Sequence, residues 1–409
     1  MATLHPFRAL RPVRSAAAAI AAVPYDVVNV DEARVLADGN PLSFLRVSRA
    51  EIELPPDTDP YSDAVYARAV ENYTQLTRSS FELEQEPSLY FYRLRMGVHE
   101  QVGLAGCFSL DEYDGDIIKK HERTRRDKED DRTRHMIALG AQTGPVFLTY
   151  RASADVNDLA RRATAGEPLF DFTAVDAVQH TLWRVTGASR DALVSALSRI
   201  PALYIADGHH RAASAARART ELATRDGGHG PGDDADFNTV LAVAFPHDQV
   251  QILAYNRVVK DLAGFSAEQF LAAVRERFNV AAGSPEPASR GEIAMYLPGA
   301  WYRLVPKTLP DVNDAIASLD VSVLQDDLLA PVLNIADVRT DKRIEFVGGA
   351  RGTGELERQV DSGRFAVAFS LYPVSVADLM AVSDADAIMP PKSTWFEPKL
   401  RDGLLVHLI

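Results

Sequence analysis

Apolar residues fall at helical spacing over residues 61–79, where Val65, Ala69, Tyr73 and Leu76 share one face, and the pattern predicts an amphipathic helix. Residues 88–96 and 103–110 are strand-like and predict a hairpin around Val98, His99 and Glu100. Residues 127–139 predict a strongly charged helix stopped by Gly140, and a strand resumes over 145–150. Four apolar residues in a row, Leu203 to Ala206, suit a buried strand; Asp207-Gly208 is turn chemistry, and the Ala-rich run 212–219 reads as a helix start. A strand or hairpin is expected over 174–185, a helix over 191–198, and two strands over 239–245 and 250–255 joined by a four-residue turn. Residues 266–278 form an amphipathic pattern with Ser266 as its cap, and 31–38 a short helix with Asp31 as its cap. Residues 23–28 read as a loop entering a strand, and the Gly/Asp-rich stretch 226–236 as a loop.

Hairpins and helices in this mixed order, without regular βαβ alternation, predict an α+β fold with mixed or antiparallel sheets and flanking helices. A polar break at 284–290 divides the chain into a main α+β domain, 1–283, and a smaller C-terminal α/β unit, 284–409. The chain has 409 residues, 46% of them hydrophobic, which suffices for such a core. A formal charge of −13 argues against a nucleic-acid partner, which usually needs a basic face. Cys107, the only cysteine, excludes an intrachain disulfide, and its apolar surroundings mark it as a core residue. The apolar run 16–22 is short and is followed at once by Pro24 and Asp26, and no stretch has the length of a membrane helix, so a cytoplasmic protein is expected.

The densest chemistry lies at 206–211, Ala-Asp-Gly-His-His-Arg, where a strand hands over to a helix N-terminus. Free backbone N–H groups and the positive end of the helix dipole make such a place attractive to phosphate. A plain helix cap on Asp207 is the simpler alternative. The second cluster is Lys119-Lys120-His121-Glu122-Arg123-Thr124, with cations, a histidine and a carboxylate ahead of the charged helix. Phosphoryl transfer needs that set, because cations stabilise the transferred group and a carboxylate orients or deprotonates the attacking hydroxyl. The third is the proline-rich run 389–399, whose rigid backbone could hold Lys392, Ser393 and Thr394 toward a phosphate or carboxylate; a rigid terminal loop docked on the core by Trp395 and Phe396 is the simpler alternative. Asn256 and Arg257 end a strand, where they are placed to line a cleft. No His-Glu-x-x-His pattern and no Gly-x-Ser-x-Gly elbow occurs.

In order, Pro-Phe-Arg-Ala-Leu-Arg-Pro (6–12), Val-Pro-Tyr-Asp-Val-Val (23–28), Asn-Pro-Leu-Ser-Phe-Leu (40–45), Lys-Lys-His-Glu-Arg-Thr (119–124), Ala-Gln-Thr-Gly-Pro-Val (141–146), Ala-Asp-Gly-His-His-Arg (206–211), Tyr-Asn-Arg-Val-Val-Lys (255–260), Phe-Val-Gly-Gly (346–349) and Met-Pro-Pro-Lys-Ser-Thr-Trp-Phe-Glu-Pro-Lys (389–399) resemble the DUF1015 family of bacterial and archaeal proteins. The Asp207–Arg211 box is also similar to the nucleotide-binding box of the ParB/sulfiredoxin-like superfamily, and within it to that of free serine kinases. The resemblance implies a ParB/sulfiredoxin-like nucleotide-binding core and a link to serine metabolism. It implies a phosphotransferase that uses a nucleotide donor, ATP or ADP, with Mg2+, and serine or phosphoserine as its small-molecule partner.

On that reading Lys120, Asp207, Gly208, His209, His210 and Arg211 hold the donor phosphates, and Asp207 reaches the Mg2+ directly or through water. Glu122 is the base, with His121 and Arg123 beside it, and Lys120 and Arg123 stabilise charge on the transferred group. Asn256, Arg257, Lys392, Ser393 and Thr394 bind the substrate. The same site with water as acceptor would make a phosphoserine phosphatase, and a nucleotide-binding, ParB-like regulator without turnover is the reading of another class. A homodimer is compatible with all three.

Overall fold

The computed structural model describes residues 1–225, 235–312 and 314–409. They form two compact units, the first comprising Met1–Val250 with Pro398–Ile409 and the second Gln251–Glu397. The expected boundary at 283/284 therefore lies inside the second unit, where the strands on either side of it share one sheet. The last twelve residues also belong to the first unit, which a single cut along the chain does not allow.

The sheet of the first unit uses β1 (Leu4–His5), β2 (Leu89–Met96), β3 (His99–Ser109), β4 (Ile118–Lys119), β5 (Val146–Tyr150), β6 (Phe170–Thr173), β7 (Gln179–Val185), β8 (Leu203–Asp207) and β9 (Thr239–Pro246). Their order is β4-β8-β5-β9-β3-β2-β7-β6, with β1 also paired to β3. Two neighbouring pairs, β4–β8 and β5–β9, are parallel and the others antiparallel, so the sheet is mixed and the fold α+β. Every residue of β9 is buried, as a central strand covered on both faces requires. The β2–β3 hairpin is tighter than expected: Gly97 at φ 59° allows a two-residue turn, so His99 and Glu100 already pair with Met96 and Arg95.

Around this sheet stand α1 (Asp63–Ser80), α2 (Arg126–Leu139), α3 (Ala154–Ala163), α4 (Gly187–Leu197) and α5 (His209–Arg225). The apolar face of α1 buries Val65, Ala69, Tyr73 and Leu76, as their spacing predicts. Gly140 ends α2 in the left-handed region at φ 62°. Charge conceals that α2 has a buried face: Asp131, Thr133 and His135 are buried, and Ser214 on α5 donates to the Glu129 carbonyl at 3.2 Å. The short helix Val30–Ala37 is capped by Asn29 and not by Asp31, because Asn29 and Glu32 answer each other in a capping box. Residues 23–28 form turns and no strand. Of the loop expected over 226–236, residues 226–234 lie outside the described residues.

The second unit is built on an antiparallel sheet of β11 (Tyr255–Val259), β12 (Phe278–Ala282), β13 (Ile293–Leu297), β14 (Ala300–Pro306), β15 (Ile344–Gly348) and β16 (Val367–Leu371), in the order β12-β14-β13-β16-β11-β15. Val258, Val347, Leu356, Val360, Phe365 and Ala368 make its core. The single strand expected over 250–255 is interrupted at Ala254, since β10 (Gln251–Leu253) pairs instead with β17 (Trp395–Glu397). The helix Ala267–Arg277 carries the expected Ser266 cap, reinforced by Gln269. Among the described residues, no helix is long and apolar enough to cross a membrane.

Candidate functional site

Strand β4 holds only two residues, yet it organises the site. It lies parallel to β8, with Ile118 beside Leu203 and Lys119 beside Tyr204. Parallel strands deliver the segments that follow them to the same edge of the sheet, so residues 120–125 and 207–211 emerge side by side. The rings of His121 and His209 meet edge to face, 4.4 Å between centroids and 87° between planes. The His121 N–H donates to His209 Nε2 at 3.4 Å, and the Arg125 N–H to His210 Nε2 at 3.0 Å. A neutral imidazole that accepts at Nε2 carries its proton on Nδ1. His209 Nδ1 lies 3.9 Å from Glu122 Oε2, so its N–H is directed toward that carboxylate.

Gly208 makes the junction between β8 and α5 abrupt. Its φ of 96° belongs to glycine, and a Cβ there would lie 3.0 Å from the Arg211 guanidinium. The helix consequently starts at His209, three residues ahead of the Ala-rich run. Its first N–H groups have no acceptor within the helix and form the anion-attracting end that the motif predicts.

Burial holds the His121 imidazole down to about 4, against the opposing pull of Asp207 and of a hydrogen bond with the Ile205 backbone. Burial, and then the neighbouring His121, holds His209 well below the ordinary histidine range. Both rings are therefore neutral near pH 7 and offer N–H donors, not charge. Burial alone would raise Asp207, but the Lys399 ammonium at 3.1 Å and the Arg211 guanidinium at 3.6 Å outweigh it and hold the carboxylate well below its usual range. For Arg211, burial opposes the charge, yet Asp26, Asp207 and Asp402 more than restore it.

The buried histidines carry a prediction about acid. Burial also holds His135 down to about 4, against 6.5 in an unfolded chain. As pH falls from 6.5 toward 4 the unfolded chain binds protons that the fold refuses, so stability present above pH 6.5 is lost. Each histidine contributes about 3 kcal/mol across the whole window. The melting temperature should fall steeply over that range, and His135→Gln, which keeps a donor for the Val47 carbonyl, should flatten the fall. Equal slopes for the two proteins would contradict this.

Other expected site residues are placed differently. The Lys120 ammonium donates to the Tyr113 carbonyl, lies 4.3 Å above the Tyr113 ring and 3.6 Å from Asp116, which spends it on that wall. Arg123 is exposed. Asn256, Arg257, Lys392, Ser393 and Thr394 belong to the second unit. There Asn256 Oδ1 accepts from the Leu371 N–H at 3.2 Å, Arg257 donates to the Lys392 carbonyl at 3.0 Å, and Ser393 Oγ donates to the Pro390 carbonyl at 2.6 Å. Those bonds hold backbone in place, so the polar groups of Asn256, Arg257 and Ser393 are engaged by the fold itself. Lys399, at the end of the proline-rich run, carries no signal of its own in the sequence, and in the structure it pairs with Asp207.

Asp207 does not fit as a direct Mg2+ ligand, because two cations already neutralise it. Among the described residues, no group of three histidine, cysteine or carboxylate side chains is arranged to hold a metal ion.

A sequence model of the DUF1015 family, described as a protein of unknown function, matches residues 4–322. The chain belongs to the DUF1015 family. No curated protein matches this DUF1015 chain. Among solved structures it is similar to a conserved hypothetical protein from Pyrococcus furiosus, with 14% identity, 74% of this chain and 95% of the other covered, and a TM-score of 0.37. C-terminally truncated SbnI from Staphylococcus aureus matches with 13% identity, 74% and 87% coverage and a TM-score of 0.39. A free serine kinase in complex with AMP matches with 12% identity, 73% and 91% coverage and a TM-score of 0.36. At TM-scores this low, these likenesses carry no argument about activity or ligand.

Proposed function

We propose that this DUF1015 protein is a small-molecule phosphotransferase, moving a phosphoryl group from ATP or ADP to the hydroxyl of free serine. One observation carries the reading: a carboxylate, Glu122, stands against His209 at the N-terminus of α5. The similarity of the Asp207–Arg211 box to that of free serine kinases supports the choice of acceptor.

The N–H groups of His209, His210 and Arg211 hold the donor phosphates, as helix N-termini hold anions generally. The serine oxygen attacks phosphorus, the bond from phosphorus to the nucleotide's bridging oxygen breaks, and Glu122 takes the hydroxyl proton. The His209 Nδ1–H orients that carboxylate. Lys399 and Arg211 fix Asp207 and with it the strand end that sets the loop. No step is assigned to Mg2+ at Asp207.

Incubation with L-serine and ATP, and separately ADP, followed by phosphorus NMR, tests the proposal. O-phosphoserine should grow as nucleotide is consumed. Nucleotide that is bound but never consumed with serine overturns it in favour of a regulator, and phosphate released from phosphoserine alone overturns it in favour of a phosphatase.

A further inference from the structure

A second feature of the first unit is a small pocket whose lining includes Tyr25, Arg132, His135, Gly144, Arg211 and Asp402. Its clear interior admits a few water-sized groups, which suits a ligand of few heavy atoms. Asp402 is 3% exposed and its Oδ1 has no hydrogen-bond partner; Arg211 is 6% exposed and its Nε has none. A buried carboxylate oxygen and a buried guanidinium nitrogen left unsatisfied in two residues that line one pocket are costly unless a ligand or an ordered water completes them. Arg132 brings a second guanidinium, already held by Asp131 at 2.7 Å and lying 4.2 Å over the Tyr25 ring.

We propose that this pocket seats a free α-amino acid, its ammonium on Asp402 Oδ1 and its carboxylate on Arg211 Nε. The proposal rests on the phosphotransferase reading only in naming serine as that amino acid, because Arg211 also closes the Asp207 junction and joins the two sites. A carboxylate facing a guanidinium matches a zwitterion and rejects ligands with one charge removed.

The electrostatics of the pocket agree with this. Burial pushes Asp402 up to about 7, against the opposing pull of Arg211 and Arg132 and with the support of Asp26. Tyr25 and its neighbour Asp26 face it from the 23–28 segment, Arg132 and His135 from α2, and Arg211 from α5. His135 donates to the Val47 carbonyl and stays neutral. An arriving ammonium favours the Asp402 carboxylate, so binding near pH 7 releases a proton.

Calorimetric titration of the full chain with L-serine tests the proposal, run in two buffers of different ionisation enthalpy. L-serine should bind with proton release, while N-acetylserine and ethanolamine, each lacking one charge, should bind about tenfold or more weakly. Asp402→Asn should lose about tenfold in serine affinity while ADP affinity and the melting temperature persist. Gly144→Ala, which sets a methyl group 2.5 Å from Asp402 Oδ1, should weaken serine in the same way. N-acetylserine binding as tightly as serine, undiminished binding by both variants, or ADP binding with no serine binding overturns the amino-acid pocket. Serine binding with no ADP binding upholds the pocket and sinks the phosphotransferase reading instead.

Discussion

Glu122→Gln should lower phosphoryl transfer to serine by about two to four orders of magnitude and leave nucleotide affinity nearly intact. The amide keeps the size of the side chain but takes up no proton. Glu122 is exposed and lies 3.9 Å from His209, so the change removes no buried counter-charge and should not unfold the protein. Single-turnover rates with L-serine, beside ADP titration calorimetry, separate the two effects. Parallel loss of turnover and ADP affinity would show that Glu122 shapes the phosphate grip and is not the base.

Arg211→Met should act through stability, costing about 3 to 5 kcal/mol. The guanidinium donates to the Pro145 carbonyl and lies 3.6 Å from Asp207, and the charges of Asp26 and Asp402 also bear on it. Its loss leaves buried carboxylates without their cation. Because Asp402 is one of them, Arg211→Met with Asp402→Asn should cost less than the sum of the single changes. Urea unfolding of the four proteins checks this. A single variant within about 0.5 kcal/mol of wild type would mean that Arg211 is not the keystone of this junction.

Much of this junction is legible in the chain itself. Four apolar residues ending at Ala206, a glycine able to take positive φ and an Ala-rich run mark the passage from β8 to α5, and the structure moves only the helix start. Periodicity likewise identifies the buried face of α1. The meeting of the two motifs is not legible, because it depends on β4, and two residues have no periodicity to read. Helix α2 misleads for another reason: its buried positions Asp131, Thr133 and His135 are polar, and they are tolerated because ion pairs and hydrogen bonds satisfy them.

The tail illustrates a third limit. Lys399 and Asp402 reach the site because the last twelve residues belong to the first unit, a long-range return that no local pattern announces. One signal was present. Arg401 and Asp402 are two charges placed directly before the apolar end of the chain, and both are 3% exposed. Asn256, Arg257 and Ser393, expected as substrate contacts, hold backbone in the structure, as polar side chains at strand ends and in proline-rich loops often do.

The most direct measurement is a crystal structure of the protein with ADP and L-serine. The phosphates should lie against the N–H groups of His209 and His210, with the terminal phosphate between them and Glu122. Phosphates bound elsewhere on the molecule, with the Glu122–His209 face empty, would contradict the account at its root.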